Sequence, residues 1–255
     1  MRCIVGCLIL FAACGDDSSQ FVDTGPPDYV WYVLDETSGT TAHDSSPNHY
    51  DITDLTGVTW SAGASFDGTG GGGSIAVDAS YRKAPITITA WATPTSRADQ
   101  RANTHGMQPF PSSILGDDGY GIGLDVWSDG TPGAALIGEG VGTCTSGMVD
   151  CAAPQILQST PVTFVAGTEY FLAMAVGADH SAYVYVDGEL FDNTSATALS
   201  GGATTLSLGT YGDDSAYATK RFFAGAIRDA RVYKRQLSAG EVAGLHRAGP
   251  TLLAP

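Results

Sequence analysis

The stretch Ser181–Phe191, SAYVYVDGELF, decides the fold class of this 255-residue chain. It places Asp187-Gly188 between two strand-like runs, and an Asp-Gly pair in that setting is a strong signal of a β-hairpin. Ile86–Trp91 (ITITAW) and Tyr170–Val176 (YFLAMAV) alternate residue types with a period of two, which is typical of strands whose two faces differ. Together these stretches predict antiparallel β-structure.

The remainder of the chain contains very little that predicts helix. It has 33 glycines and 12 prolines, and from residue 28 onward turn residues separate short apolar runs. The good helix-start signal is the capping box Ser238-Ala239-Gly240-Glu241, which precedes Val242 and Leu245 and predicts one short helix near the C-terminus. Many short strands joined by glycine-rich turns favour an all-β sandwich or barrel.

Charge and hydrophobic content exclude two classes of protein. The formal net charge of −15 at pH 7 repels phosphate backbones, so nucleic acid is excluded as a partner. Hydrophobic residues make up 43% of the chain, which is enough to bury a core and argues against global disorder.

Residues 1–13 have the features of a lipoprotein signal peptide. Arg2 supplies a positive charge, and Ile4–Ala13 form an apolar run that is too short to span a bilayer. Leu10–Cys14 (LFAAC) resembles the lipobox of bacterial lipoproteins, with Phe11 where that motif usually has Leu. The resemblance implies cleavage before Cys14 and a diacylglycerol on its sulfur. An ordinary secretory signal cleaved nearby is the alternative.

Residues 14–27 are then a short acidic tether, with the sequence DDSSQFVDTGPP from Asp16 to Pro27. Two or more acyl chains would anchor the exported protein stably to the lipid membrane of the bacterial envelope. Gly15 follows Cys14, which displaces by one position the acidic residue associated with inner-membrane retention. We therefore expect the outer membrane rather than the inner one.

The remaining cysteines predict one disulfide bond. Cys3 and Cys7 leave with the signal peptide, so Cys144 and Cys151 remain on either side of a short polar segment. Exported proteins keep disulfides, and a cysteine metal site would need further ligands. The alternative is a pair of free thiols.

The body of the chain resembles the laminin-G-like, concanavalin A-like jelly-roll superfamily. The resemblance is carried, in the family's order, by Leu34–Asn48, Ala64–Gly68 (ASFDG), Ile86–Pro94, Tyr183–Glu189 (YVYVDGE) and Phe223–Ser238. It implies that residues 28–250 form one domain of two packed antiparallel sheets. It also implies a lectin-like binding role, since most members bind rather than catalyse.

Two departures from the family pattern concern metals and turns. Relatives hold a structural Ca²⁺ with an acidic residue where this chain has Arg228, and a guanidinium cannot be a Ca²⁺ ligand. This argues against that metal site, although Asp229 could point elsewhere in the same loop, so the presence of Ca²⁺ stays open. Asp44 and Asn48 keep their places in a turn motif and are expected to form local Asx turns.

A transition-metal site is a weaker hypothesis. His43 and His49 flank Asp44 and could bind a metal ion together with Asp51. Because paired ligands in one loop are weak support for a metal, we do not favour this site.

Catalytic motifs are missing from the sequence, and we expect no enzyme activity. Retaining glucanases of this superfamily need two carboxylates about 5–5.5 Å apart, supplied by an E-x-D-x-x-E strand. The chain has five Glu, at positions 36, 139, 169, 189 and 241, and no two lie within ten residues of each other. Asp125 and Asp129 are a weak imitation that fits a strand and its turn better. The stretch Gly68–Gly73 (GTGGGG) lacks a Lys and a following helix, which predicts a flexible loop rather than a phosphate site.

The candidate ligand site combines aromatic and acidic residues in three segments. If strands alternate in direction, Pro94–Ser113, the Asp129 turn and Thr210–Arg221 lie at the same end of the sandwich, with the Cys144–Cys151 segment at the other. The predicted ligand-binding residues are His105, Phe110, Asp129, Tyr211, Asp213, Asp214 and Tyr217. Aromatic rings stack on sugars, and carboxylates accept hydrogen bonds from sugar hydroxyls.

The alternative for these residues is structural, with Asp213-Asp214 as a solvated hairpin tip and Tyr217 packed on the sheet edge. The sequence therefore predicts a surface-anchored module that binds extracellular or envelope carbohydrate. A protein–protein adhesion or scaffold module that binds a surface protein is the alternative, because both classes use aromatic, acidic loops.

Overall fold

The structure is a computed structural model, and it describes residues 28–68, 70–82, 84–95, 112–117, 123–127, 134–139, 162–163, 165–179, 181–195, 205–210 and 222–251. Within these ranges the chain forms two antiparallel sheets, one 3₁₀ turn at Ala79–Arg82 and one α-helix, α1, at Ala239–Ala248. The prediction of a two-sheet antiparallel sandwich with one short C-terminal helix is confirmed.

The eight-stranded sheet has the strand order β12-β11-β10-β5-β14-β3-β2, and β1 pairs with β14 beside this path. Its strands are β1 (Tyr29–Tyr32), β2 (Val58–Trp60), β3 (Ala64–Asp67), β5 (Ile86–Pro94), β10 (Tyr170–Val176), β11 (Ser181–Val186), β12 (Glu189–Ser195) and β14 (Ala224–Tyr233).

The six-stranded sheet has the order β4-β13-β6-β7-β8-β9. Its strands are β4 (Gly73–Ala76), β6 (Ser112–Asp117), β7 (Gly123–Trp127), β8 (Ala134–Glu139), β9 (Val162–Thr163) and β13 (Thr205–Leu208). Neighbours in both sheets are often distant in sequence, as when β5 pairs with both β10 and β14.

The hairpin predicted at Asp187-Gly188 joins β11 to β12. Asp187 has φ 49° and Gly188 has φ 79°, and positive φ at both central residues is the requirement of a type I′ turn. Val186 and Glu189 are register partners on either side. The local sequence therefore determines this connection directly.

The main core lies between the two sheets and is built by the period-two alternation. Ile86 and Ile88 of β5 and Leu172 and Met174 of β10 are at most 1% exposed. From the other sheet, Leu206, Leu208 and Leu115 join the same cluster. Apolar side chains on one face of each strand thus meet across the sandwich.

A second, smaller core lies on the outer face of the eight-stranded sheet, beneath α1. Ala173 and Ala175 of β10 are small and fully buried there, which leaves room for Val242 and Leu245 of the helix. The predicted capping box is confirmed: Ser238 is the N-cap, its hydroxyl accepts from the Glu241 backbone N–H, and the Glu241 carboxylate accepts in return.

The C-terminal turn of α1 packs on the eight-stranded sheet through the side chain of His246. Its ring stacks on Trp91 and Phe171, with centroids 5.6 and 5.9 Å away. A Cβ at Gly188 would lie 3.0 Å from His246, so the hairpin glycine also permits this close approach. None of the helices in the described ranges is long and apolar enough to cross a membrane.

Candidate functional site

The strand ends that border the three predicted ligand segments lie at one end of the sandwich. In the six-stranded sheet, Leu208 near the end of β13 pairs with Leu115 of β6, and Ser112 at the start of β6 pairs with Val126 near the end of β7. In the eight-stranded sheet, Pro94 at the end of β5 pairs with Gly225 of β14. We call this the loop end.

Backbone hydrogen bonds hold the exits of two segments close together at the loop end. Thr210 and Phe222 form an isolated antiparallel bridge, and the Phe223 N–H donates to the Gly209 carbonyl at 3.0 Å. The Thr95 N–H donates to the Ala224 carbonyl at 3.1 Å. Segments 96–111 and 211–221 therefore leave the two sheets from adjacent positions.

Glycines allow the backbone to pack closely at this end. Gly72 has φ 126° and a Cβ there would lie 2.6 Å from the Thr210 side chain. Gly209 has φ 70° and a Cβ there would lie 2.8 Å from the Phe66 ring. Gly72 also exchanges two backbone hydrogen bonds with Thr56. Gly68, Gly71, Gly72 and Gly73 thus serve close packing, where the sequence predicted only a flexible loop, while a Cβ at Gly70 would meet nothing within 4 Å.

The seven predicted ligand residues lie outside the residues that the structure describes: His105, Phe110, Asp129, Tyr211, Asp213, Asp214 and Tyr217. The same holds for the lipidation residue Cys14 and for the predicted disulfide partners Cys144 and Cys151. Glu139, at the end of β8, pairs with Gly123 at the start of β7. That strand end, which precedes the cysteine segment, therefore lies opposite the loop end. The roles of all ten residues stay predictions.

Neither Arg228 nor the neighbouring Asp229 fits a Ca²⁺ site. Arg228 donates two hydrogen bonds to the Glu169 carboxylate, and this pairing raises the pKa of Arg228 above its usual value. Sequence reasoning missed Glu169 as the partner because 59 residues separate the two. An ion pair thus occupies the place where the family resemblance implies a metal ligand.

Asp229 is not available to a metal ion either, because protein groups donate hydrogen bonds to both of its carboxylate oxygens. Oδ1 accepts from Trp31 Nε1 and from Arg231 Nε, each at 2.7 Å. Oδ2 accepts from Arg231 at 3.1 Å and from the Thr251 N–H at 2.6 Å. Burial alone would lower the pKa of Arg231, but Tyr233 and Asp229 raise it overall. This pair is a buried structural element.

The loop at Asp44 is a second saturated site. Asp44 is 3% exposed and accepts from the backbone N–H groups of Trp31, Ser46 and Tyr50 at 2.9 Å. The bond to Ser46 is the predicted Asx turn, the bond from Trp31 ties the turn to β1, and the bond from Tyr50 closes the loop that follows. Asn48 also reaches beyond its own turn, because its amide donates to the Tyr29 carbonyl at 2.8 Å. We call Asp44, Ser46, Asn48, Asp229 and Arg231 the closed polar cluster.

The hypothesis of a metal between His43, His49 and Asp51 is not supported. His43 Nδ1 lies 3.3 Å from Asp51 Oδ2, but the described part of the chain contains no group of three or more His, Cys, Asp or Glu side chains arranged to hold an ion. Asp51 instead accepts the Asp44 N–H at 2.8 Å. Its role here is to support the Asp44 turn.

Comparison with solved structures shows the same fold in larger proteins. A Trypanosoma rangeli sialidase in complex with sialic acid aligns with TM-score 0.59 and 14% identity, over 87% of this chain and 33% of that one. The binding domain of Botulinum neurotoxin DC, in complex with rat synaptotagmin II, aligns with TM-score 0.56 and 11% identity, over 87% and 51%.

These likenesses establish the fold alone, because the identities are low. This chain spans about a third of the sialidase and about half of the toxin chain. The sialidase is an enzyme, but similarity at this level decides nothing about catalysis here. No curated protein sequence matches the chain significantly.

The match to a family model assigns the chain to a family. The Laminin_G_3 model, described as the concanavalin A-like lectin/glucanases superfamily, matches residues 67–243. The match runs from the end of β3 into α1 and so includes most strands of both sheets. The chain therefore belongs to the Laminin_G_3 family of the concanavalin A-like lectin/glucanases superfamily.

Proposed function

We propose that this protein is a carbohydrate-binding module whose ligand site is the loop end. The observation that carries the proposal is the convergence of strand ends at Pro94, Ser112, Trp127 and Thr210. These ends border the segments with the predicted aromatic and acidic ligand residues. Sugar recognition needs that combination, because aromatic ring faces pack against the C–H groups of a sugar and carboxylates accept hydrogen bonds from its hydroxyls.

We further propose that the module is exported and held on the bacterial envelope. Residues 1–13 would be removed as a signal peptide, Cys14 would carry the lipid, and residues 14–27 would form the acidic tether. The placement of Gly15 after Cys14 favours the outer membrane. In the oxidising compartment that follows from export, Cys144 and Cys151 would form a disulfide bond.

A protein–protein adhesion module is the second candidate. Val165, in the turn before β10, is 58% exposed, and the Gly167 N–H of the same turn donates to the Pro94 carbonyl at 2.7 Å. An apolar side chain is therefore presented at the loop end, as a protein ligand would require. The toxin domain with this fold is in complex with a protein.

A glycan array probed with the full chain in detergent, with Ca²⁺ and again with chelator, tests the proposal. We expect binding to a subset of glycans that survives chelation, since Arg228 and Asp229 supply no Ca²⁺ site. Tyr211→Ala and Asp213→Ala should each weaken that binding about tenfold. Asp179→Ala removes an exposed carboxylate at the opposite end and is the matched control, expected to leave binding unchanged.

Two outcomes would count against the proposal. Glycan binding that Tyr211→Ala and Asp213→Ala leave intact would remove the loop end as the site. A blank array would contradict carbohydrate binding, and retention of an envelope protein by the immobilised chain, lost on Val165→Ser, would then favour the adhesion module.

A further inference from the structure

A groove of about 400 Å³ lies on the outer face of the eight-stranded sheet, far from the loop end. Its lining consists of Tyr183, Tyr185, Gln236, Leu237, Ser238, Ala239 and Glu241. One wall is β11 and the other is the segment that enters α1. The volume falls within the roughly 300–1,000 Å³ typical of small-molecule sites.

The sheet register places this groove at the end of the sandwich opposite the loop end. Tyr183 pairs with Ala175, and Ala175 pairs with Thr87 near the start of β5. Pro94, the other end of β5, marks the loop end. A ligand in the groove would therefore be separated from a ligand at the loop end by nearly the full length of β5.

The groove contains hydrogen-bonding groups that the protein does not use. Tyr185 is 4% exposed, and within the described ranges neither its hydroxyl, the Tyr183 hydroxyl nor the Gln236 amide has a hydrogen-bond partner. The Tyr185 hydroxyl is not among the buried side-chain atoms that lack a partner in the described residues, so it is the part of this side chain that reaches the groove surface, where an external partner can bind it. Burial raises the pKa of Tyr185 from a usual value that already lies far above neutral, so the phenol is protonated and can donate at pH 7.

The one charged side chain among the described residues that line the groove, Glu241, is already paired. The Glu241 carboxylate accepts from the Ser238 backbone and hydroxyl at 2.8 Å and from Arg235 at 2.7 Å. The Ser238 hydroxyl is likewise engaged in the capping box. Two phenols and one carboxamide are thus the groups left for a ligand, and none of them is charged.

We propose that this groove is a second, independent ligand site for a neutral saccharide unit. The partly buried Tyr183 ring supplies aromatic surface for the C–H face of a pyranose, while the Tyr183 and Tyr185 hydroxyls and the Gln236 amide pair with sugar hydroxyls. The proposal goes beyond the loop-end function and does not depend on it. With both sites occupied, one molecule would bind two saccharides at opposite ends of the sandwich.

A buried hydroxyl beneath the groove keeps its second wall in place. Thr87 Oγ1 donates to the Arg235 carbonyl at 2.9 Å and accepts the Leu237 N–H at 2.8 Å. These two bonds fix the backbone on both sides of Gln236. The amide is therefore presented from a held segment, which lowers the entropic cost of binding.

The test is saturation-transfer NMR on the full chain in detergent, with the methyl glycosides of glucose, galactose, mannose and N-acetylglucosamine as probes. At least one glycoside should be saturated by the wild-type chain. Tyr183→Ala and Gln236→Ala should each weaken its affinity roughly tenfold, and Tyr185→Phe, which removes only a hydroxyl, roughly threefold to tenfold. Thr59→Ala, on β2 at the far edge of the sheet, is the control and should change nothing.

The variants separate this site from the loop end. A glycoside signal that Tyr183→Ala and Gln236→Ala reduce while Tyr211→Ala leaves it intact supports the groove, whatever becomes of the loop end. A signal that only Tyr211→Ala reduces supports the loop end and overturns the groove site. The absence of saturation for all four glycosides with the folded wild-type chain also overturns it. Tyr185→Phe, which conserves packing, keeps the test valid if an alanine variant fails to fold.

Discussion

The closed polar cluster and the groove each contain a deeply buried residue of the eight-stranded sheet, Asp229 and Tyr185 respectively, but the polar groups of these two residues are used in opposite ways. In the cluster, both oxygens of Asp229 and both of Asp44 accept hydrogen bonds from the protein. In the groove, Tyr185 is almost as deeply buried, but its hydroxyl reaches the groove surface and has no protein partner within the described part of the chain.

This difference separates structural from ligand-binding chemistry. A saturated buried carboxylate stabilises the fold and has no capacity left for a ligand, whereas an unpaired group at a surface groove keeps that capacity. Changes in the cluster should therefore lower stability, while changes at the unpaired polar groups of the groove should lower affinity and leave stability nearly unchanged. The predictions below test the stability side of this contrast.

Asp229→Asn should cause the largest loss. Arg231 is 11% exposed at its side chain and pairs with Asp229, so the substitution leaves a buried guanidinium without its counter-charge. We expect the free energy of unfolding to fall by about 3 kcal/mol, measured by urea denaturation. Asparagine also tolerates the positive φ of 46° at this position.

The matched control for this change is Asp179→Asn. Asp179 is exposed and accepts hydrogen bonds from the neighbouring Ser181, and its replacement should alter stability by less than about 0.5 kcal/mol. Equal losses in the two variants would mean that the closed cluster contributes nothing special to the fold.

Removing either of two buried hydroxyls should change the stability by a smaller amount, and the two changes should have opposite signs. Thr87 makes two hydrogen bonds, so Thr87→Val strands a carbonyl and an N–H and should cost about 1–2 kcal/mol. Ser207 on β13 is fully buried and its hydroxyl has no partner among the residues that the structure describes, so Ser207→Ala should be neutral or stabilise by up to about 1 kcal/mol. Thermal unfolding of both variants measures this, and a destabilised Ser207→Ala would contradict it.

The smallest effect concerns pH. Burial alone would raise the pKa of Glu241, but hydrogen bonds from the Ser238 backbone and side chain and from Arg235 lower it overall. A lowered pKa means that the carboxylate stabilises the fold above about pH 4.5, the unfolded value, and that this contribution is lost as pH falls through the folded pKa.

Glu241→Gln should therefore be less stable than wild type at pH 7, by under about 1 kcal/mol because the site is partly exposed. The difference should shrink as the pH falls below the unfolded value. Denaturant titrations at several pH values measure it, and a gap that widens in acid would reverse the assignment.

The features that could be predicted from sequence are those encoded within a few neighbouring residues. The Asp187-Gly188 turn, the two-faced strand Ile86–Trp91, the Ser238 capping box and the Asx turn at Asp44 each depend on contacts inside one short segment. Local backbone preferences and side-chain alternation are sufficient to specify them.

The contacts that could not be predicted connect distant strands. Arg228 finds Glu169 across 59 residues, and Trp31 finds Asp229 across 198. The groove has the same origin: the alternation of Tyr183 and Tyr185 places them on one face, but only the strand order brings Gln236 beside them. Pairing of strands that are not neighbours in the chain carries no local signal.

The position of Asp28 bears on which end of the sandwich would face away from a membrane. Its carbonyl accepts the Lys234 N–H at 2.9 Å, so the chain enters the sandwich where β14 ends, and β14 begins at the loop end. At about 3.3 Å per residue, that strand separates the two points by roughly 30 Å. A module tethered through its N-terminus, as we propose, would hold its loop end outward from the membrane and turn the groove toward it.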